Sequence, residues 1–366
     1  MTSTELDDGK QGQRVTSTVT TTEAVADGGR PRRTGGRDLG HLWDSWGMTA
    51  CLAVLVAFAA ATDPEFLQLA NIQSVLTESA YLGIVAAAMT VAIVNGTFDL
   101  SVGGQLALVS VVSLMGYEAG GTGLAVAAAL GCGLACGLVN GTLVTLLRVP
   151  PFVATLGMLF VFRGVAYILT EDSPAVLPYT EIDSGFAQLG SMRIAEVPLP
   201  FLLMVGFFAA TYVFLRRTTA GRRVVAYGSS PEAARFSGVS ATRVRFLVFG
   251  LLGLAVGIAV LTYITRIWTA DGATQDGFEL RVITAAVLGG ASLQGGKGSL
   301  VGTFSAVLLV AVLNDLMVGQ GVSAGVQQMV LGGVLILALG IDGVRTKYGH
   351  RFRAVLSRRR EVAAPS

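Results

Sequence analysis

Ten apolar runs follow one another along this 366-residue chain, separated by short polar segments. A helix rises about 1.5 Å per residue, so roughly 20 apolar residues cross the ~30 Å hydrocarbon core of a bilayer. Several runs are shorter than this or rich in glycine, but their succession predicts an all-α, polytopic membrane protein with about ten transmembrane helices. The runs lie at 46–62, 79–95, 98–116, 122–147, 152–170, 198–215, 246–266, 281–294, 299–317 and 323–341.

Charged residues are scarce and are concentrated at the two ends of the chain. They make up 14% of the residues, against about 25% in a typical soluble domain, while 52% of the residues are hydrophobic. This composition excludes a soluble globule, a disordered chain and a nucleic-acid-binding protein. Residues 1–45 and 343–366 hold 13 and 8 of the charges. We therefore expect a disordered cytoplasmic tail at 1–45, a transmembrane domain at 46–342 and a basic cytoplasmic tail at 343–366.

The basic residues give the orientation of the predicted spans. With ten spans and a cytoplasmic N-terminus, 22 of the 26 Lys and Arg residues fall in cytoplasmic segments, as the positive-inside rule requires. An odd number of spans would place a basic cluster outside. Residues 57–61 also resemble a signal-peptidase site, so a cleaved signal is an alternative to the first span. We prefer an uncleaved span, because signal peptides usually have roughly 15–30 residues and further spans follow.

Two short segments are similar at an offset of 180 residues: T-F-D-L-S-V at 97–102 and G-F-E-L-R-V at 277–282. Each places an acidic residue, Asp99 or Glu279, near the start of an apolar run. The predicted topology puts the first segment on the cytoplasmic side and the second outside, as in an inverted repeat. We therefore expect spans 2–5 to match spans 7–10 about a pseudo-twofold axis, with a permeation path in the middle of the bundle.

The predicted cytoplasmic loop at 216–245 carries seven arginines and the signals of a short helix. Serines precede Pro231, which suits the first helical position, and Gly238 suits the position after the end. A basic loop could simply fix the topology, but a discrete helix favours a partner surface. The predicted outer loop at 171–197 is acidic, and it is long enough to hold short helices and a docking surface.

The residue types give no support to enzymatic chemistry. The two histidines, His41 and His350, lie in the predicted tails. Lys297 is followed by glycine, so G-G-K-G-S at 295–299 lacks the spacing of a phosphate-binding loop and is better explained as a tight turn. The three cysteines lie in apolar runs, without a metal-binding or disulfide pattern. We expect no catalytic residue, no cofactor and no metal.

Small residues recur every fourth position in two apolar runs, at 131–137 and at 250–257. Such faces let two helix backbones approach closely and are common in membrane bundles. We expect them to mark helix-packing surfaces.

Ionisable residues inside the predicted spans are few: Asp99, Arg163 and Asp315. Each is a functional candidate, because a charge at the bilayer centre costs about 2.5–3.5 kcal/mol on insertion scales. Proton- or sodium-driven carriers need a richer chain of carboxylates, so this set favours a passive or externally powered conduit. We expect Asp99 to cap the helix that follows it, and Arg163 to neutralise a helix end or a carboxylate. The candidate residues of a translocation path are Asn95, Asp99, Ser101, Thr155, Arg163 and Asn314.

Four stretches carry a family resemblance. They are F-D-L-S-V-G at 98–103, P-F-V-A-T-L-G at 151–157 with F-R-G at 162–164, E-A-A-R-F-S-G-V at 232–239, and A-V-L-G-G-A-S-L at 286–293 with the glycines up to 302. Together they resemble the inner-membrane permease subunit of bacterial binding-protein-dependent ABC sugar importers of the ribose/xylose/galactose type, over about residues 75–342. The resemblance implies a fold like that of type II ABC importers, with the permease domain at 46–342. Permeases for autoinducer-2, nucleosides or branched-chain amino acids are the alternatives within ABC importers.

The resemblance also implies a function and a set of partners. The chain would form the path of a monosaccharide, a pentose or a hexose, across a bacterial cell membrane by alternating access. Its partners would be ABC ATPase subunits in the cytoplasm, a sugar-binding protein outside, a second permease copy in a homodimer and membrane lipid, but no nucleic acid. The residues that would couple to the ATPase are Pro231, Glu232, Ala233, Ala234, Arg235, Phe236, Ser237 and Gly238.

Three other classes remain open from the sequence. A secondary carrier would transport its substrate without an ATPase, and a channel would conduct when reconstituted alone. A membrane enzyme is the least favoured, because the chain offers no catalytic cluster.

Overall fold

The apolar runs form helices in the computed structural model, which describes residues 39–177, 179–181, 184–337 and 340. Helix α1 begins at Leu39, before the predicted run at 46–62. Residues 1–38 and 343–366, which make up most of the two predicted tails, lie outside the described residues. The helices are α1 (Leu39–Thr62), α2 (Leu69–Val94), α3 (Val102–Thr145), α4 (Pro151–Leu169), α5 (Gly185–Ser191), α6 (Leu199–Arg217), α7 (Thr219–Ser229), α8 (Pro231–Phe236), α9 (Ala241–Ile267), α10 (Phe278–Leu288), α11 (Leu300–Gly319) and α12 (Ala324–Leu337).

Six of the helices in the described part of the chain are long and apolar enough to cross a membrane. This confirms the predicted all-α, polytopic class. Helix α10 has 11 residues, so it extends over about 16 Å, roughly half of the hydrocarbon core. The spanning helices are α2, α3, α4, α6, α9 and α11.

Helix α3 contains a sharp break in its middle. Its 44 residues include two glycines outside helical geometry, Gly120 and Gly121. Gly121 has a φ of +70°, which glycine adopts without the steric cost that a Cβ atom would bring. The two halves correspond to the predicted runs at 98–116 and 122–147.

Helix α2 lies at the centre of the bundle. Its residues from Ser79 to Val94 are all buried, and a helix that is apolar all round belongs inside a bundle. It packs against α6, α9, α10 and α11, while α3 packs mainly against α9 and α4. The side of α4 opposite α3 remains largely exposed, as expected for a face toward lipid or another chain.

Helices α3 and α9 approach each other at backbone distance through glycines. A Cβ atom on Gly137 would lie 2.3 Å from the carbonyl oxygen of Phe249, and one on Gly133 would lie 2.4 Å from that of Gly253. Neither contact leaves room for a side chain. The small-residue runs at 131–137 and 250–257 are therefore packing surfaces, as the sequence predicts.

Two short antiparallel strand pairs order the predicted outer loops. Strand β1 (Ala175–Val176) pairs with β4 (Thr269–Ala270), which follows α9 directly, and β2 (Arg193–Ile194) pairs with β3 (Val197–Pro198), which precedes α6. Helix α5 and a 3-10 turn at Tyr179–Glu181 lie between β1 and β2. The loop at 171–197 is thereby fixed to the end of α9.

Candidate functional site

Helix α8 forms on the predicted cytoplasmic loop because the sequence carries a start signal before it and a stop signal after it. The hydroxyl of Ser230 caps it by accepting a hydrogen bond from the Ala233 amide at 3.3 Å. Pro231 occupies the first helical turn, and Gly238 follows the end with a φ of +79°, a conformation that favours glycine. The short helix that the sequence predicts is therefore present.

Most of α8 faces away from the rest of the chain. Ala234 is buried and anchors the helix, and its carbonyl oxygen accepts a hydrogen bond from the Val239 amide at 2.9 Å. The Phe236 side chain is 90% exposed, and large aromatic side chains in such positions are typical of partner-binding sites. We use the term α8 surface for the exposed residues Pro231, Glu232, Ala233, Arg235, Phe236, Ser237 and Gly238.

Backbone contacts join the neighbouring helix α7 to the central helix α2. A Cβ atom on Gly228, near the end of α7, would lie 1.8 Å from the carbonyl oxygen of Val94, the last residue of α2. The side-chain amide of Asn95 donates to the Val224 carbonyl at 3.3 Å. The Gly296 amide, from the glycine turn before α11, donates to the same Val94 oxygen at 2.8 Å. A displacement of α7 would therefore act directly on α2.

Asp99 lies in a fully buried polar cluster in the turn between α2 and α3. Its Oδ1 accepts hydrogen bonds from the amide and the hydroxyl of Ser101 at 2.8 and 2.6 Å. Its Oδ2 accepts from the Asn140 amide at 2.9 Å and from Gln105 at 3.1 Å. All four residues are 0% exposed. The N-cap residue of α3 is Ser101 and not Asp99. The Asp99 carboxylate binds the amide and hydroxyl of this residue and ties the entry into α3 to the second half of the same helix.

Arg163 on α4 holds the segment that precedes α10. Its guanidinium donates to the Gly272 carbonyl at 3.1 Å and lies 3.1 Å from the Asp276 carboxylate. Glu279, in the first turn of α10, is buried near the same guanidinium. A Cβ atom on Gly103 would lie 2.1 Å from the Glu279 Oε2 and 3.5 Å from the Arg163 Nη2. Arg163 therefore neutralises a carboxylate, one of the two roles expected from the sequence.

The remaining candidates of the translocation path lie elsewhere in the bundle. Thr155 is buried on α4 and donates to the Pro151 carbonyl at 2.8 Å. Asn314 on α11 donates to the Glu78 carboxylate at 3.1 Å. Asp99 and Ser101 therefore share one polar cluster, whereas Asn314 is bonded to a different residue, Glu78. Within the ranges that the structure describes, no group of three or more His, Cys, Asp or Glu residues could hold a metal ion.

A cleft of about 150 Å³ opens between α2, α9 and the segment before α10. The rings of Tyr81 and Tyr263 meet edge to face in its wall, with their centroids 5.3 Å apart. Sequence reasoning missed these residues and Glu78, although a signal existed: polar and aromatic residues recur there three and four positions apart, on one face of each helix. The cleft is lined by Thr77, Glu78, Tyr81, Thr262, Tyr263, Arg266, Ile267 and Gln275.

Comparison with known proteins places the chain in a family. Residues 71–339 match the model of the family described as branched-chain amino acid transport system / permease component. The chain belongs to this family. It is therefore a transport permease subunit of an ABC importer and not an enzyme, with ATP hydrolysis on a separate subunit. As a family member with six apolar helices, it is a multi-pass membrane protein.

Several permeases are similar to this family member over most of its length. The ribose import permease protein RbsC of Escherichia coli (strain K12) is 37% identical over 293 residues, 80% of this chain and 91% of the relative. RbsC of Bacillus subtilis (strain 168) is 36% identical, over 80% and 90% of the two chains. The L-arabinose ABC transporter permease protein AraH of Azospirillum brasilense is 34% identical, over 82% and 87%. No solved structure matches the chain significantly.

Proposed function

We propose that this permease forms the membrane path of an ATP-driven importer for a monosaccharide, with five-carbon sugars as its first candidates. The relatives named above are permeases for ribose and L-arabinose, both pentoses. The family description names branched-chain amino acids instead, so these are the substrates to compare. Substrate would arrive from an extracytoplasmic sugar-binding protein docked on the outer loops, including the acidic loop at 171–197.

The α8 surface is the observation that carries this proposal. A permease that hydrolyses no ATP itself needs a surface through which an ATPase can move it. The α8 surface presents an aromatic side chain, Phe236, together with an acidic and a basic residue, Glu232 and Arg235, and all three are exposed. Behind it, α7 contacts the end of α2. ATP-driven closure of the ATPases would displace α7 and α8, and the central helix would switch the path from outward to inward opening.

The finer architecture follows from the same proposal. Ten spans with both termini in the cytoplasm place the α8 surface on the ATPase side. The inverted repeat of spans 2–5 and 7–10 is supported by Asp99 and Glu279, which are both buried and both lie near the start of a helix. The transmembrane domain predicted at 46–342 and the two cytoplasmic tails belong to this proposal, with the first helix already beginning at Leu39. The homodimer, the contact with membrane lipid and the six candidate residues of the translocation path are also part of this proposal.

Replacing the exposed aromatic ring tests the coupling role. Phe236→Ala and Glu232→Arg should abolish sugar uptake and weaken copurification of the ATPase subunit, while the permease remains in the membrane. The matched control is Phe58→Ala on α1, whose side chain is 56% exposed in the predicted lipid-facing region; it should retain uptake. Normal uptake by the α8 variants at equal expression would contradict the coupling role. Uptake by the wild-type permease in ATP-depleted vesicles would indicate a secondary carrier.

A further inference from the structure

The cleft between α2 and α9 lies in the half of the bundle opposite to the α8 surface. Tyr81 lies in the first half of α2, whose other end contacts α7, and Tyr263 lies in the last turns of α9. Strand β4, which follows α9, pairs with the predicted outer loop. In the proposed topology the cleft therefore opens toward the outside, where a binding protein would deliver substrate.

The wall of the cleft combines ring faces with hydrogen-bonding groups. Tyr81 packs edge to face on Tyr263 and stacks on Phe278 with a centroid separation of 5.7 Å. The polar groups are the hydroxyls of two threonines and two tyrosines, one carboxylate, one guanidinium and one amide. Sugars present apolar C–H faces edged by hydroxyl groups that both donate and accept. Aromatic walls with a few fixed polar groups are the usual construction of a site for such a small ligand.

The two charged groups of the cleft are already held by neutral partners. Glu78 accepts a hydrogen bond from Asn314, and Arg266 donates to the Ser74 hydroxyl at 3.3 Å. A branched-chain amino acid would need an apolar wall for its side chain, but Ile267 is the only aliphatic residue among the eight that line the cleft. The hydroxyl groups and aromatic walls of the lining suit a polyhydroxy compound, and the leucine control in the labelling experiment below tests the amino acid whose charges Glu78 and Arg266 could pair with.

The size of the cleft suits a single sugar ring. Its volume is about 150 Å³, and an engineered protein cavity of about 150 Å³ admits benzene, a six-membered ring. The cleft therefore has room for one monosaccharide ring.

We infer that this cleft is a sugar-binding subsite on the outward side of the permease, where Tyr81 and Tyr263 hold the ring of a monosaccharide and Glu78 accepts hydrogen bonds from its hydroxyl groups. The inference rests on the proposed function and adds a place where the permease itself contacts the sugar. Because α2 runs from Tyr81 to its contact with α7 at Val94, a movement driven at the α8 surface would reach the subsite through one helix.

The decisive quantity is the amount of sugar imported per ATP hydrolysed in proteoliposomes that contain the permease, its ATPase and its binding protein. Tyr263→Phe removes one hydroxyl, Tyr263→Leu removes the ring, and Glu78→Gln removes the charge. Each should lower this ratio about threefold to tenfold, the effect of losing one hydrogen bond of ordinary strength. Tyr212→Phe and Tyr212→Leu make the same changes at an exposed position on α6 and should leave the ratio unchanged.

A labelling experiment gives a readout that does not depend on transport. In a background with the three cysteines replaced by serine, Ile267→Cys places a thiol on the rim of the cleft. Ribose delivered by the binding protein should slow its reaction with an external maleimide, and leucine should not. If the wild type imports sugar while the cleft variants keep a normal ratio and ribose gives no protection, the subsite is wrong and the proposed function stands. If the wild type imports no sugar, the proposed function itself fails.

Discussion

Single polar residues determine how this apolar bundle is held together. Asp99 accepts four hydrogen bonds inside a cluster that is 0% exposed, and Arg163 fixes two groups of the segment before α10. An unmatched polar group in a membrane costs several kcal/mol, so these contacts stabilise the fold. Tyr81, Tyr263 and Glu78 differ from them because they line an open cleft.

Asp99→Ala should destabilise the permease strongly. The substitution leaves the Ser101 amide and hydroxyl without their acceptor in a buried site, at about 1–3 kcal/mol for each group. We expect the free energy of unfolding to fall by about 2–6 kcal/mol, measured as thermal unfolding in detergent. Glu65→Ala at an exposed position serves as the control and should change it by less than about 0.5 kcal/mol. Equal stability of the two variants would show that the cluster does not hold the entry into α3.

Elements with a local sequence signal at their ends could be predicted from the sequence, and elements without such a signal could not. Helix α8 could be predicted because its cap, its proline and its terminal glycine all lie within ten residues. The break in α3 could be predicted because a glycine pair separates two apolar runs. The short length of α10, about half of the hydrocarbon core, could not be predicted. The apolar run at 281–294 continues past the end of the helix at Leu288 into a glycine turn, so the sequence does not mark where the helix ends.

The glycine contact between α3 and α9 gives a prediction for a pair of helices. Gly137→Ala would place a Cβ atom 2.3 Å from the backbone carbonyl oxygen of Phe249 on α9. The two helices would have to separate, so the free energy of unfolding should fall by about 1–3 kcal/mol. Gly131→Ala changes a glycine on the same helix with no atom within 4 Å. It should be neutral or stabilising by up to about 1 kcal/mol, since alanine favours the helix. Thermal unfolding of both variants checks this, and a reversed order would contradict the packing.

The sequence marks the polar and aromatic faces of α2 and α9, but it does not show that these faces meet in a cleft. Its walls come from residues 77–81, 262–267 and 275, which only the packing of α2 on α9 brings together. Among the path residues predicted from the sequence, Asn314 is next to the cleft, because it donates a hydrogen bond to Glu78 in the cleft wall. The ionisable residues inside the predicted spans, Asp99, Arg163 and Asp315, are not part of the cleft wall, which includes two tyrosines.

At the scale of the whole molecule, the proposed topology separates the α8 surface from the cleft by the membrane. In a cysteine-free background, Ser237→Cys on the α8 surface should react with an impermeant maleimide only from the cytoplasmic side. Ser191→Cys at the end of α5, where the serine is exposed, should react only from outside. Labelling of whole cells and of inside-out vesicles checks both positions. Reaction of both thiols from the same side would contradict the ten-span arrangement.

The same arrangement explains how a chain with so few charges inside its spans can drive import. In the proposed mechanism, ATP-driven movement of the α8 surface passes along α7 to the end of α2 and reaches the cleft through this buried helix. Charged relays within the spans are not needed for this route, because a monosaccharide is neutral and the ATPase is a separate subunit.

The most direct test is accumulation of labelled ribose or L-arabinose by proteoliposomes that contain this permease, its ATPase and its binding protein. We expect accumulation against a concentration gradient with hydrolysable ATP, none with a non-hydrolysable analogue, and none with Phe236→Ala. Accumulation of leucine in place of the pentoses would contradict the proposed substrate class. Equal pentose accumulation without ATP hydrolysis would contradict an ATP-driven importer.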